Sequence, residues 1–204
     1  YKADREPMPD DMELQLDAIV EWLEAAGIYT WCEDGVEADD VIGTLAWEAE
    51  SADQSVVVAS ADKDFFQLIN HNILMLNPND KSDTLWEAEQ VINKTGVTPT
   101  QIVDWLSLVG DAVDGIPGVP GVGPKTAVKL IHEHGGLEDV LGAADGMPAS
   151  KLRDRLIDHA EDARLSYELV TIGDAAPVPE GLEPLSVGEP DHSFLLYTSD
   201  AADE

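Results

Sequence analysis

Basic residues are what this sequence lacks most. Eleven Lys and Arg stand against 42 Asp and Glu, a net charge of −31 over 204 residues. That scarcity argues against a broad basic surface that would bind nucleic acid through charge alone. Cysteine is nearly absent too. Cys32 stands alone, so no internal disulfide can form, which fits a reducing cytoplasm. No apolar run is long enough to span a bilayer and no secretory-signal pattern stands at the start. The expectation is a cytoplasmic chain without membrane association.

Acid takes the place of base. The carboxylates are spread along the chain rather than gathered into a tail. A folded chain this acidic repels itself unless salt screens it, so the composition reads as adaptation to a salt-rich cytoplasm. The length suffices for one domain with a sizeable core.

The most informative stretch is 108–127. Asp111 and Asp114 close an apolar helix. Gly118-Val119-Pro120-Gly121-Val122-Gly123 then leads into a helix opening Pro124-Lys125-Thr126. Glycine lets backbone approach a ligand closely, and a helix N-terminus offers free N–H groups to an anion. Pro in the first turn removes a donor that would be orphaned anyway. Such a hairpin holds phosphate through backbone and is indifferent to base sequence.

Apolar spacing predicts a helix over 11–26, with Leu14, Ala18, Ile19, Trp22 and Leu23 on one face and Gly27 ending it. Residues 28–31 read as a short strand. Glu37 opens a second helix, with Val41, Ile42, Leu45 and Ala46 inward. The continuous apolar run 56–59 reads as a central parallel strand. Asp62 and Asp64 follow its C-terminal end, where open α/β sheets place ligands. A helix from Phe65, strands at 73–76 and 85–86, and helices over 87–94, 100–109, 125–134 and most of 150–172 complete the expected α/β chain. Beyond Asp174 the composition turns Pro- and Glu-rich.

Three clusters of acid sit at element ends: Glu37, Asp39 and Asp40; Asp62 and Asp64; Asp111 and Asp114. If they converge, their repulsion implies bound metal. Oxygen-only ligands favour Mg2+ or Mn2+ over Zn2+. Two such ions could activate a water and stabilise the leaving oxygen of a phosphodiester. The histidines lack zinc-like spacing, and His132 and His134 read as helix-surface residues.

Taken as a set, these blocks resemble the 5′-nuclease (flap endonuclease) family, and within it the 5′→3′ exonuclease domain of bacterial DNA polymerase I. The matching blocks are Tyr1-Lys2-Ala3-Asp4-Arg5 with Pro7-Met8-Pro9-Asp10-Asp11, then Gly35-Val36-Glu37-Ala38-Asp39-Asp40-Val41-Ile42-Gly43-Thr44-Leu45-Ala46, then Asp62-Lys63-Asp64-Phe65, then the 108–127 stretch. They cover roughly residues 1–175. The resemblance implies a PIN-like or resolvase-like parallel sheet flanked by helices over 1–106. A helical helix–three-turn–helix DNA-binding region over 107–175 and a linker or artefactual tail over 176–204 would follow. It also implies an N-terminally truncated chain, lacking the family's first strand and most of an arch over the active site, and poorly active alone.

By resemblance, Lys2 and Arg5 reach phosphates near the cut. Glu37, Asp39 and Asp40 serve a first divalent ion, Asp62 approaches both ions, and Asp64, Asp111 and Asp114 serve the second. Carbonyls of Val109, Pro117, Val119 and Val122 line a K+ site, and Gly118, Gly121, Gly123, Lys125 and Thr126 contact DNA. Where relatives carry Ser and Asn beside the second Asp, this chain has Val113 and Gly115, so hydrogen bonds that support the ligands are expected to weaken. Residues 195–204 do not resemble the family and read as translated adapter sequence.

The implied function is a metal-dependent, structure-selective 5′→3′ exonuclease and flap endonuclease in replication and repair. It would act on DNA with 5′ flaps or ends, as a monomer or fused to a polymerase domain. One rival is a non-catalytic DNA-binding hairpin module, against which the three acidic clusters stand. Another is an acidic metal-binding or interaction protein that never meets DNA, against which the glycine turn and Lys125 stand.

Overall fold

Val56–Ala59 forms β1 and Ile73–Leu76 forms β2; the two pair in parallel, with Val58 opposite Met75. Leu85–Trp86 forms β3, antiparallel to β2, and the Trp86 ring stacks on Phe66 at 5.2 Å between centroids. The order is β1-β2-β3, so β1 lies at an edge among the described residues and Val57 is 50% exposed. This departs from the expected central position. A run apolar on both faces suits a strand covered on both sides, but only β2 pairs with it here. The helix expected from Phe65 is a 3-10 helix, Lys63–Leu68. Its entry is drawn tight by Ser60 Oγ, which accepts the Asp62 N–H at 3.0 Å, and by the Asp62 carboxylate, which accepts the Asp64 N–H at 3.0 Å.

The structure is a computed structural model that describes residues 8–180 and 185–195. Lys2, Arg5 and residues 196–204, which carry sequence expectations, lie outside the described residues. The chain divides into two compact units. One holds the described residues 39–176, and the other holds 8–38, 177–180 and 185–195. Among the described residues, no helix is long and apolar enough to cross a membrane.

In the smaller unit, α1 spans Asp10–Ala25 and ends at Gly27, whose φ of +75° favours glycine. A returning segment is strapped to this end. Gly188 donates its N–H to the Gly27 carbonyl at 2.8 Å and Asp191 donates to Ala25 at 2.7 Å. No residue of α1 is buried, and Leu14 is 81% exposed, so its apolar stripe does not face inward as expected. Residues 28–31 form no strand; instead Tyr29 and Trp31 stack.

In the larger unit, α2 spans Ala38–Ser51 from the unit boundary, with Gly43, Thr44 and Ala46 buried. α3 is Ala88–Thr95, stopped by Gly96 at φ +89°, and α4 is Ile102–Val109. Ile102, Trp105, Leu106, Ser107 and Leu108 of α4 are all buried, as expected of a helix apolar nearly all round. Around it pack α5 (Pro124–His134), α6 (Leu137–Ala143) and α8 (Ala160–Val170). α6 is unforeseen: seven residues are too few for a periodic signal. Asp104 of α4 holds its start by accepting the Leu137 N–H at 2.7 Å. The stretch 150–172 is broken at His159 into α7 (Lys151–Asp158) and α8.

α8 also anchors the loop that follows α4. Ser166 is fully buried; its hydroxyl accepts the Gly118 N–H at 2.9 Å and donates to the Asp162 carbonyl at 2.7 Å. Replacing Ser166 by Ala leaves that N–H unpaired in the core. Ser166→Ala should lower unfolding free energy by about 1–3 kcal/mol. A reduced urea midpoint at unchanged slope would register it; an unchanged midpoint would show that the bond contributes nothing.

Candidate active site and hairpin

The loop after α4 is closed at its neck by two glycines. Gly110 has φ +73° and Gly118 has φ +58°. A Cβ on Gly118 would lie 2.5 Å from the Gly110 nitrogen, and one on Gly110 would lie 2.9 Å from the Gly118 nitrogen. No other residue fits such backbone-to-backbone contact. Asp111 and Ile116 exchange both backbone hydrogen bonds just beyond, at 3.0 and 2.7 Å, and Val119 donates to Leu108 at 2.9 Å.

This loop carries Asp111 and Asp114 towards the 3-10 turn that carries Asp62 and Asp64. The approach is legible in their acidities. Burial pushes the Asp64 carboxyl up to about 6, with Asp62 next in effect and Asp111 and Asp114 adding to it, while Lys63 opposes. Burial would also raise Asp111, but it is outweighed by the Lys63 ammonium and by backbone N–H groups of Val113 and Asp114, which hold Asp111 below the usual carboxylate range. Burial lowers Lys63, yet the bond to Asp111 and the charges of Asp64 and Asp62 leave it above its ordinary value. The Lys63 ammonium and the Asp111 carboxylate form a direct ion pair.

Among the described residues, no three His, Cys, Asp or Glu side chains are gathered closely enough to hold one ion. The cation found among these carboxylates is Lys63. The donor set nevertheless fits a hard divalent ion. Every donor is oxygen, one cation is already accommodated, and Asp62, Asp111 and Asp114 add to the effect of burial in raising Asp64. Asp62 is exposed, and Asp64, Asp111 and Asp114 are half-buried.

The remaining predicted acids lie elsewhere in the chain. Glu37 belongs to the smaller unit and is half-buried. Asp39 and Asp40 open α2 in the larger unit, and the Asp40 carboxylate accepts the Gly173 N–H at 2.7 Å. That bond belongs to a strap formed by 170–176. Gln67 donates to the Val170 carbonyl at 2.9 Å and accepts the Ile172 N–H at 3.1 Å, while Ala176 donates to Thr44 Oγ1 at 3.0 Å. The strap therefore joins α2 to the turn bearing Asp62 and Asp64. Lys63 and Gln67 escaped sequence reasoning. Lys63 lies between two candidate ligands, a position that could have flagged it; Gln67 offered no local signal.

Val113 and Gly115 both stand in the loop that carries the second acid pair. The Val113 backbone N–H donates to Asp111 Oδ1 at 2.8 Å, a bond that does not depend on its side chain, and Gly115 adopts φ +71°. Of the expected K+ ligands, the Val119 carbonyl accepts the Val122 N–H at 2.9 Å, Val119 and Val122 are buried, Val109 is half-buried and Pro117 is exposed. Of the expected DNA contacts, Gly118 is buried with its N–H held by Ser166, so it shapes the neck. Gly121, at φ +77°, is covered by Arg155, whose Nη1 a Cβ there would overlap. A Cβ on Gly123 would meet nothing within 4 Å, and Lys125 is exposed. Thr126 lines a cleft of about 530 Å³ with Lys129, Met147 and Leu152.

Residues 1–96 match a family described as the 5′-3′ exonuclease N-terminal resolvase-like domain, and residues 97–193 match the 5′-3′ exonuclease C-terminal SAM fold. DNA polymerase I of Pseudomonas aeruginosa is 40% identical over 203 residues, a span covering 96% of this chain and 22% of that protein. A 5′-3′ exonuclease of Aquifex aeolicus is 38% identical over 195 residues, covering 96% of this chain and 65% of that protein. A bacteriophage T5 flap endonuclease, solved as a pseudo-enzyme-product complex with DNA and metal ions, shares the fold at TM-score 0.67. It is 19% identical, and the match covers 80% of this chain and 62% of that one. A resolvase-like α/β portion followed by a helical portion is thus the architecture of this chain, as expected from its sequence.

The raised Asp64 generates a test on metal-free protein. Its folded-state value exceeds its ordinary 3.8, so the folded state holds the proton more tightly. The resulting stability is fully present below pH 3.8 and is lost as pH rises through about 6. Asp64→Asn, which cannot ionise, should raise Tm at pH 8 by an amount reflecting on the order of 2 kcal/mol. The gain should shrink towards zero at pH 4. An equal gain at both pH values would mean that charge is not its cause.

Proposed function

Because the chain belongs to the 5′-3′ exonuclease family, we propose that it is a metal-dependent nuclease hydrolysing DNA phosphodiesters at 5′ flaps and ends. The observation that carries this reading is the approach of Asp62 and Asp64 to Asp111 and Asp114 at the base of a glycine-closed hairpin. Acid for metal and open backbone for phosphate thus lie on one continuous segment. We place the boundary between the nuclease core and the hairpin region near 106 and 107, just ahead of this junction.

Asp62, Asp64, Asp111 and Asp114 would hold Mg2+ or Mn2+, and Asp39 and Asp40 would contribute through the α2 end. Divalent ions, when bound, would supply a nucleophilic water at neutral pH and neutralise charge on the leaving oxygen. The chain's own residues prepare the site. Lys63 neutralises Asp111 in the metal-free protein, and the Val113 N–H fixes the orientation of that carboxylate. Gly123 leaves backbone open for a phosphate, with Lys125 beside it. Backbone contact of this kind positions a duplex without reading its bases, which suits selection by structure rather than sequence. Carbonyls of Val109, Pro117, Val119 and Val122 would hold a K+ ion at the same turn.

The assay is cleavage of a labelled 5′-flap duplex in Mg2+. Asp62→Ala and Asp111→Ala should each lower kcat by roughly 10²-fold or more, and EDTA should abolish cleavage. Residual cleavage that Asp62→Ala and Asp111→Ala leave unchanged, with duplex binding intact, would leave the hairpin as a binding module only. Cleavage that survives EDTA would sink the metal-dependent reading.

The charge of −31 supports adaptation to high salt. Raising KCl from about 0.1 to about 2 M should raise Tm, because screening relieves self-repulsion. A Tm that falls steadily with KCl would remove this reading and leave the nuclease reading intact.

A further inference from the structure

Arg155, which no sequence motif singles out, stands against the hairpin's glycine turn. It is an exposed residue of α7, and the next residue, Leu156, is fully buried and fixes that helix in the core. The Arg155 guanidinium occupies the space where Gly121 would carry a side chain: a Cβ there would overlap Nη1 and lie 2.9 Å from Cζ. Gly121 is favoured as glycine by its φ of +77°, and a side chain there would displace this guanidinium. Two residues on, the space beside Gly123 is empty to 4 Å. A guanidinium thus flanks the open part of the turn.

Its lack of an ion pair sets it apart from the other described arginines. Arg153 pairs with Asp154 at 2.7 Å, and Arg164 pairs with Glu138 at 2.7 Å and with Glu161 at 2.5 Å. Lys129 pairs with Glu133 at 3.7 Å, and Lys63 pairs with Asp111. Among the described residues, the Arg155 side chain has neither an ion pair nor a hydrogen bond. In a chain where 42 acidic residues face 11 basic ones, a guanidinium kept clear of carboxylate is available to an outside anion. Its planar fork of donors matches phosphate oxygens, and one edge packed on Gly121 restricts its motion before any ligand arrives.

We propose that Arg155 is a DNA-binding residue, holding a backbone phosphate of the strand that lies along Gly121 to Gly123. The inference rests on the reading of the hairpin as a DNA grip. It assigns the chain's scarce positive charge to one position rather than to a surface.

The test is fluorescence anisotropy of the intact chain on a labelled 5′-flap duplex in Ca2+, across a KCl series. Arg155→Gln should weaken binding about tenfold and reduce the slope of log affinity against log salt by about 1. Arg155→Lys should restore the salt slope but only part of the affinity, since ammonium keeps the charge and loses the fork. Arg164→Gln, whose guanidinium is already paired, should change neither. Wild-type affinity and slope in a folded Arg155→Gln overturn the inference while the hairpin reading stands. If Arg155→Gln loses its fold, wild-type affinity and an unchanged slope in Arg155→Glu, or full affinity in Arg155→Lys, overturn it. Wild-type protein that binds no duplex overturns the hairpin reading and the inference together.

Discussion

Gly110 and Gly118 meet backbone to backbone, and both parts of the proposed site depend on that contact. It stops α4 and turns the chain so that Asp111 and Asp114 face one way, towards the 3-10 turn after β1. It then releases 119–123 as the turn proposed to meet phosphate. The surrounding bonds secure the contact. Ser166 takes the Gly118 N–H, the Leu108 carbonyl takes that of Val119, and Asp111 and Ile116 pair across the loop. The buried α4, six of whose eight residues are apolar, is the platform for all of this.

Like-charge repulsion is the second constraint, and the chain meets it locally. A net charge of −31 says little about what any one site can bind, because fields from exposed carboxylates are screened within about 8–10 Å at ordinary salt. What matters is where the few cations stand and whether they are already paired. Lys63 stands among Asp62, Asp64 and Asp111 and offsets part of their repulsion, while burial leaves Asp64 still raised. Arg155 is kept clear of acid at the turn that Lys125 follows. An acidic protein can thus combine an anionic metal site and an anion-binding turn, because the two need opposite charge only over a few ångströms.

Much of this was legible in the sequence, and the failures have physical causes. The acids after β1, the glycine turn and the buried α4 each carry a local signature, and the structure has them at the expected element ends. The strand at 28–31 did not form, because an apolar run of four is also satisfied by ring stacking of Tyr29 on Trp31. α1 keeps helical spacing, yet buries nothing: periodicity predicts a face and not its partner. The backbone N–H of Val113 that supports Asp111 carries no signature in the sequence. Gly118 and Gly121 read alike as glycines of one turn. Only their neighbours, Ser166 on α8 and Arg155 on α7, show that the first seals the neck and the second accommodates a guanidinium.

The strap 170–176 extends the argument from single residues to the connection between acidic clusters. Its backbone bonds to Gln67 on one side and to Asp40 and Thr44 on the other, so α2 and the turn bearing Asp62 and Asp64 are held through a common peptide segment. Asp40 thereby has two claims on its carboxylate. One oxygen accepts the Gly173 N–H, and a carboxylate has lone pairs left for a cation. A bond from a backbone N–H fixes the orientation of the carboxylate, which is what a ligand would need before its ion arrives. Gly173 itself must stay small, since a Cβ there would lie 3.2 Å from the Asp40 carboxylate. The C-terminal end of the helical region in this way ties the start of α2 to the turn bearing Asp62 and Asp64.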